Sequence, residues 1–198
     1  MMSNNNTIDY YNNNAMSYAL DTYDVDFSLA QKRFVSYISD KGYILDFGCG
    51  SGRDTNYFKN IGFEVDAIDG SEELCKIAEA NTGIKVKCML FQEFNEINKY
   101  DGLWACSSIL HLTREELKIV FQKMIISLKD AGVIYTSFKY SDFEGERNGR
   151  YFIDFTEDSF NDFIKEFSDI KIIDEWITSD VRPDRKNEKW LNLILKKR

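Results

Sequence analysis

The run Ile44-Leu45-Asp46-Phe47-Gly48-Cys49-Gly50-Ser51-Gly52-Arg53-Asp54 constrains this chain more than any other segment. A short apolar stretch ends in three glycines spaced Gly-x-Gly-x-Gly, and a polar, helix-compatible stretch follows. That order reads as a buried strand turning sharply into a helix, with glycines that let the backbone come close to a ligand. The unpaired N–H groups at the helix start suit an electron-rich group. A dinucleotide fingerprint would need Gly at position 53, where Arg53 stands, so a pyrophosphate lying on the loop is disfavoured. Asp69 closes the next apolar run, 17 residues past Gly52. A carboxylate at that strand end can accept both hydroxyls of a ribose. The plainer alternative is a tight turn with a solvated Asp, and the register between the two features favours the nucleoside seat.

Around this centre, apolar runs alternate with amphipathic stretches, the pattern of a parallel sheet covered by helices. Strands are expected at 43–47, 63–68, 84–89, 103–106, 133–138, 170–177 and 190–195, and two helices, 8–21 and 27–40, precede the first. Leu117, Val120, Phe121, Met124, Ile125 and Leu128 share one helical face. Thr113 with Glu116 forms its capping box, and Gly132 is expected to stop it. Ser71 and Thr156 open two further helices, the second carrying Phe160, Phe163, Ile164 and Phe167. The last two strands are joined by about ten residues, too few for a parallel crossover, so they form an antiparallel pair. The expectation is one α/β domain over residues 1–198, with residues 1–7 disordered.

Composition narrows the function. Lys+Arg 25 against Asp+Glu 33 leaves a net charge of −8, which argues against non-specific binding to nucleic acid or an anionic membrane. No apolar run approaches the ~18 residues of a membrane span. The four cysteines, 49, 75, 88 and 106, form no CxxC pair, so neither a zinc site nor a disulfide frame is expected, and the thiols read as reduced and cytoplasmic.

The glycine loop with Asp69 resembles the class I S-adenosylmethionine-dependent methyltransferases, over nearly the whole chain from about Tyr10. Within them the chain is similar to small bacterial tellurite-resistance-related methyltransferases. The stretches carrying that likeness are Trp104–His111, Ser137–Tyr140, Arg147–Phe152 and Thr178–Pro183. The resemblance implies a Rossmann-like seven-stranded sheet, order 3-2-1-4-5-7-6 with the last strand antiparallel and helices on both faces. It implies S-adenosylmethionine as cofactor and S-adenosylhomocysteine as product. Asp46, Gly48, Gly50 and Gly52 would surround the methionine moiety, and Arg53 would also contact the cofactor. Asp69, with Gly70 and Ser71 beside it, would hold the ribose, and Leu90, Phe91 and Gln92 would flank adenine. Leu90 stands where many relatives carry Asp, so adenine is expected to rest on backbone groups and apolar contact. Cys106 and Ser107 would lie near the sulfonium. Residues 8–40 would form a lid, with Tyr11 and Tyr18 closing over the cofactor. The name of that group is no evidence for a tellurium substrate.

Methyl transfer asks the protein to place a nucleophile in line and, for a protonated acceptor, to supply a base. His111, the only histidine, is either that base or a helix-entry histidine packed against the sheet end. Four of the eight arginines cluster at 147, 150, 182 and 185, and Arg is the residue for a bidentate grip on an anion. Arg147, Arg150 and Arg182 are therefore expected to clamp an anionic small-molecule acceptor. Lys139, Tyr140 and Tyr151 would line the pocket, with Tyr140 and Arg150 beside His111 at the chemistry. The alternative is a set of ion pairs to Glu144, Glu146, Asp180, Asp184 and Glu188. The tryptophans read as core or pocket wall and Cys49 as packing. A monomer or weak homodimer is expected, without nucleic acid or membrane. The competing functions are a macromolecular methyltransferase, a non-catalytic S-adenosylmethionine-binding regulator, and a nicotinamide dehydrogenase that Arg53 disfavours.

Overall fold

The computed structural model describes residues 3–182 and 185–198. Seven strands form the main sheet: β1 Tyr43–Phe47, β2 Glu64–Asp69, β3 Val86–Cys88, β4 Tyr100–Ala105, β5 Leu128–Lys139, β8 Ile170–Ser179 and β9 Lys189–Lys197. Their order is β3-β2-β1-β4-β5-β9-β8. Pairs among β1 to β5 are parallel, and β9 runs antiparallel to both β5 and β8. This is the expected order and the expected antiparallel end.

Alternation along the strands sends side chains to two cores. Leu45, Phe47 and Leu103 face α5 (Arg114–Ser127) and α6 (Glu157–Ile164), while Ile44, Trp104, Tyr135 and Ile194 face α2 (Ser28–Val35) and α3 (Arg53–Asn60). The helix starts follow the sequence. Thr113 and Thr156 accept from the N–H of Glu116 and Ser159, and Ser71 caps α4 (Glu72–Thr82) through the N–H of Leu74.

Four local expectations change. Helix α1 runs Ser3–Thr22, so helix replaces the expected disorder from Ser3 onward. Thr7 is buried, and the Ile8 side chain lies against Gly70, packing that gives the polar first turns a reason to order. Helix α2 ends at Val35 rather than 40, where the Ser36 hydroxyl donates to the Arg33 carbonyl and competes with the helical ladder. Gly132 does not stop α5, because β5 begins directly at Leu128. Gly132 lies inside that strand, where a Cβ would stand 3.0 Å from the Lys129 carbonyl oxygen and 3.2 Å from that of Asp101. A second, two-stranded sheet, β6 Glu144–Arg147 with β7 Arg150–Ile153, was not anticipated. Its turn is Asn148-Gly149, both at positive φ (51° and 74°), which is the commonest short hairpin signal.

Candidate functional site

The order of strands reverses between β1 and β4, and open α/β sheets bind ligands at the carboxyl ends of strands at such a point. Two cavities lie there. The first, about 70 Å³, is lined by Gly48, Gly50, Asp69, Gly70, Leu90, Phe91 and Gln92, and roofed by Thr7, Ile8, Tyr11 and Tyr18 of α1. The second, about 520 Å³, lies between α1, the β6–β7 hairpin and the β8–β9 connection. Tyr11, Tyr18, Cys106, Ser107 and His111 line both, so the cavities meet at the end of β4.

The glycine loop has the backbone that its sequence demands. Gly48 sits at φ +93°, and a Cβ there would lie 2.4 Å from the Ser108 Cβ. The N–H groups of Gly48 and Cys49 both donate to the Ile68 carbonyl, at 3.0 Å each, which ties the loop to β2. Asp69 then binds it from the side: Oδ2 accepts from Gly50 N–H and Oδ1 from Ser71 N–H, each at 2.9 Å. Burial pushes the Asp69 carboxyl up, and those N–H groups oppose the shift. Each oxygen keeps a spare lone pair toward the cavity. On the far wall, Gln92 Nε2 donates to Glu116 at 3.2 Å, which turns Oε1 the other way. That oxygen is buried and unpartnered.

Three expected cofactor residues stand behind the loop and line neither cavity. Asp46 accepts from the Thr55 hydroxyl at 2.6 Å, and burial together with Asp54 pushes it up to about 8. Gly52 packs on Ala78 and Thr82 of α4. Ser71 is fully buried and donates to Asn12 of α1 at 2.7 Å. Arg53 borders the larger cavity only, paired with Asp54 at 2.8 Å.

His111 is held from both sides. Nδ1 lies 2.7 Å from the Tyr151 carbonyl and Nε2 lies 2.9 Å from the Tyr11 hydroxyl. A carbonyl only accepts, so Nδ1 carries the proton, Nε2 accepts from Tyr11, and Arg150 donates to the Tyr11 oxygen at 3.2 Å. Burial pushes the imidazole down to about 4, with Arg150 and Lys139 acting the same way. His111 is thus held neutral, with its basic nitrogen bonded to Tyr11, an arrangement close to the packed helix-entry histidine that was the other expectation. It latches α1 to the sheet. Tyr11→Phe is expected to loosen the N-terminal helix, raising amide exchange over α1 at least fivefold while α5 stays unchanged; equal exchange in both proteins would rule the latch out.

The arginine cluster is divided. Arg147 pairs with Asp154 at 2.5 Å and Arg182 with Asp180 at 2.6 Å, close to the ion-pair alternative, while Arg150 has no carboxylate partner among the described residues. Lys139 pairs with Glu188. All four line the larger cavity. Tyr140 and Tyr151 do not. Strand alternation turns Tyr140 away from Ser137 and Lys139, toward Glu157, and turns Tyr151 away from Arg150 and Phe152, toward Glu144 at 2.8 Å. Pro183 and Asp184 lie outside the described residues.

Residues 44–132 match a methyltransferase-domain family. A putative methyltransferase, YqeM of Bacillus subtilis, is 30% identical over 116 residues, which are 53% of this chain and 47% of that protein. The match thus spans about half the length of that relative. Among solved structures, Burkholderia thailandensis 1,6-didemethyltoxoflavin-N1-methyltransferase, with bound 1,6-didemethyltoxoflavin and S-adenosylhomocysteine, superposes at TM-score 0.76 and 19% identity, covering 96% of this chain and 84% of that one. TehB from Haemophilus influenzae superposes at 0.71 and 18%, covering 91% and 66%. The family match covers residues 44–132, under half of the chain, and the superpositions show a fold shared with methyltransferases. No helix among the described residues is long and apolar enough to cross a membrane.

Proposed function

We propose that the chain moves a methyl group from S-adenosylmethionine, whose nucleoside enters the smaller cavity as α1 lifts from the glycine loop, to a small acceptor in the larger one. The observation that carries this is their meeting at Cys106, Ser107, Tyr11, Tyr18 and His111. The nucleoside fits the residues present. Asp69 has lone pairs for both ribose hydroxyls, Gly48 and Gly50 offer a bare backbone, and Gln92 Oε1 lacks the donor that an adenine amino group supplies. That oxygen would add a side-chain acceptor to the backbone groups and apolar contact expected at Leu90. The bound cofactor supplies an activated methyl group. The chain orients the partners, and helix α1, which lines both cavities, closes over them as a lid. The acceptor is small and anionic on this reading, held by Arg150 rather than by three arginines. The likeness to TehB is no stronger than that to the didemethyltoxoflavin enzyme, so it favours no tellurium acceptor.

Titration calorimetry with S-adenosylhomocysteine tests the seat. Gln92→Leu is expected to weaken binding about tenfold, one buried hydrogen bond of ~1–1.5 kcal/mol. Undiminished affinity would take Gln92 out of the adenine site, and no heat with the unaltered protein would overturn the proposal.

A further inference from the structure

Arg53, Lys139, Arg147, Arg150, Arg182 and Arg185 border the larger cavity, and four of them sit in ion pairs. Arg53 faces Asp54, Arg147 faces Asp154, Arg182 faces Asp180 and Lys139 faces Glu188. Arg150 breaks the pattern, with no carboxylate among the described residues. Its guanidinium lies 4.2 Å from the Tyr10 ring centre and 5.1 Å from that of Phe152. Its Nε is enclosed and without a hydrogen-bond partner. A partly enclosed guanidinium lacking a counter-ion favours an anion brought from outside.

Proton acceptors are also spoken for. Both nitrogens of His111 are bonded, Asp69 is committed to the ribose on the proposed reading, and Asp180 and Glu188 each hold a cation. The remaining titratable groups at the junction are Tyr11, Tyr18 and Cys106, whose protons burial holds more tightly than usual. Among the described residues, none where the cavities meet is free to take a proton at pH 7. The walls include the rings of Phe27, Phe152 and Trp190. A volume near 520 Å³ suits an organic molecule of drug size, and an inorganic oxyanion would fill little of it.

We propose that the acceptor is an aromatic monoanion, such as a thiolate or azolate, whose charge lies on the nucleophilic atom or in conjugation with it and is matched by Arg150. This rests on the methyl-transfer reading of the two cavities. The acceptor's lone pair forms the new bond to the methyl carbon as the methyl–sulfur bond breaks and its electron pair stays on sulfur. A sulfonium and an anion become two neutral molecules, and no proton moves. A cavity poor in water favours such charge cancellation. The neutral product leaves Arg150 unmatched again, which weakens product binding.

The test has a binding arm and a turnover arm. With the protein saturated in S-adenosylhomocysteine, calorimetry should show benzoate binding at least tenfold more tightly than benzamide. Arg150→Gln, which still donates to Tyr11, should shrink that preference to threefold or less. With S-adenosylmethionine, a series of para-substituted thiophenols should be methylated, and the inflection of kcat/KM against pH should follow each thiol's own pKa. Equal binding of benzoate and benzamide would overturn the proposal. So would an inflection fixed at one pH across the series, no turnover of any thiophenol, or faster methylation of alkyl amines or tellurite. Absence of heat with S-adenosylhomocysteine counts against the methyl-transfer reading instead, a result separable from a lost benzoate preference.

Discussion

Asp69→Ala is expected to remove measurable S-adenosylhomocysteine binding, and Asp69→Asn to weaken it by one to two orders of magnitude. Each carboxylate oxygen holds one backbone N–H at 2.9 Å, from Gly50 and from Ser71. Each has room for one ribose hydroxyl, and bonds to a charged acceptor contribute ~1.5–3 kcal/mol apiece. Losing two lowers affinity by roughly 10²–10⁴-fold. Alanine also strands the two backbone donors, so the glycine loop loses its lateral tie to β2. Asparagine restores one acceptor but points an amide N–H at the other donor. Calorimetry decides between these outcomes, with thermal unfolding of each variant as the check on folding. An alanine variant that binds within threefold of the parent would remove Asp69 from the ribose site.

What could be read in the sequence follows from how local each signal is. The glycine loop and the caps at Ser71, Thr113 and Thr156 depend on neighbours a few residues apart, and the structure has them; the strand order, which the family resemblance implies, is there as well. The direction of a side chain at a strand end depends on register. Tyr140 and Tyr151 stand beside pocket residues in the sequence, but the period of two turns them away from the cavity. The partition of the arginines depends on carboxylates such as Asp154, whose closeness to Arg147 arises only when β6 pairs with β7. The Asn148-Gly149 turn signals that hairpin, while the arginines on either side of it read equally well as ligand contacts. His111 was legible as a residue of interest but not in its role. Its partners, Tyr11 and the Tyr151 carbonyl, are 100 and 40 residues away. Gln92 lay among the expected adenine neighbours, yet its bare oxygen depends on Glu116 fixing the amide.

The largest effect on stability is expected at Arg53, through a group that the ligand never touches. Asp54 is buried beneath the glycine loop. It accepts from Gln31 Nε2 at 2.6 Å, Trp104 Nε1 at 2.8 Å, and Arg53 Nε and Nη2 at 2.9 and 2.8 Å. These bonds join α2, α3 and β4, so the carboxylate pins the helical layer to the sheet. The Arg53 guanidinium, 4.4 Å from the Phe27 ring centre, is its counter-ion and holds it below the usual carboxylate range against the opposing effect of burial. Arg53→Met keeps much of the apolar stem and removes the charge together with its two hydrogen bonds to Asp54. Leaving a buried carboxylate unpaired costs about 3–5 kcal/mol, a fall in Tm of roughly 6–20 °C for a chain of this length. The pH dependence distinguishes this from lost packing. In the parent, the folded pKa of Asp54 lies below its unfolded value, so its contribution is complete above pH ~4 and is lost as pH falls through the folded pKa. In the variant the folded pKa rises above the unfolded one, and the sign reverses: protonation relieves the buried charge, so acidification from neutrality toward pH ~4 restores stability. The Tm gap between the two proteins should therefore be widest near pH 7 and narrow steadily toward pH 4. A gap that stays constant across that range would mean that Arg53 acts through its stem against Phe27 and not through its charge.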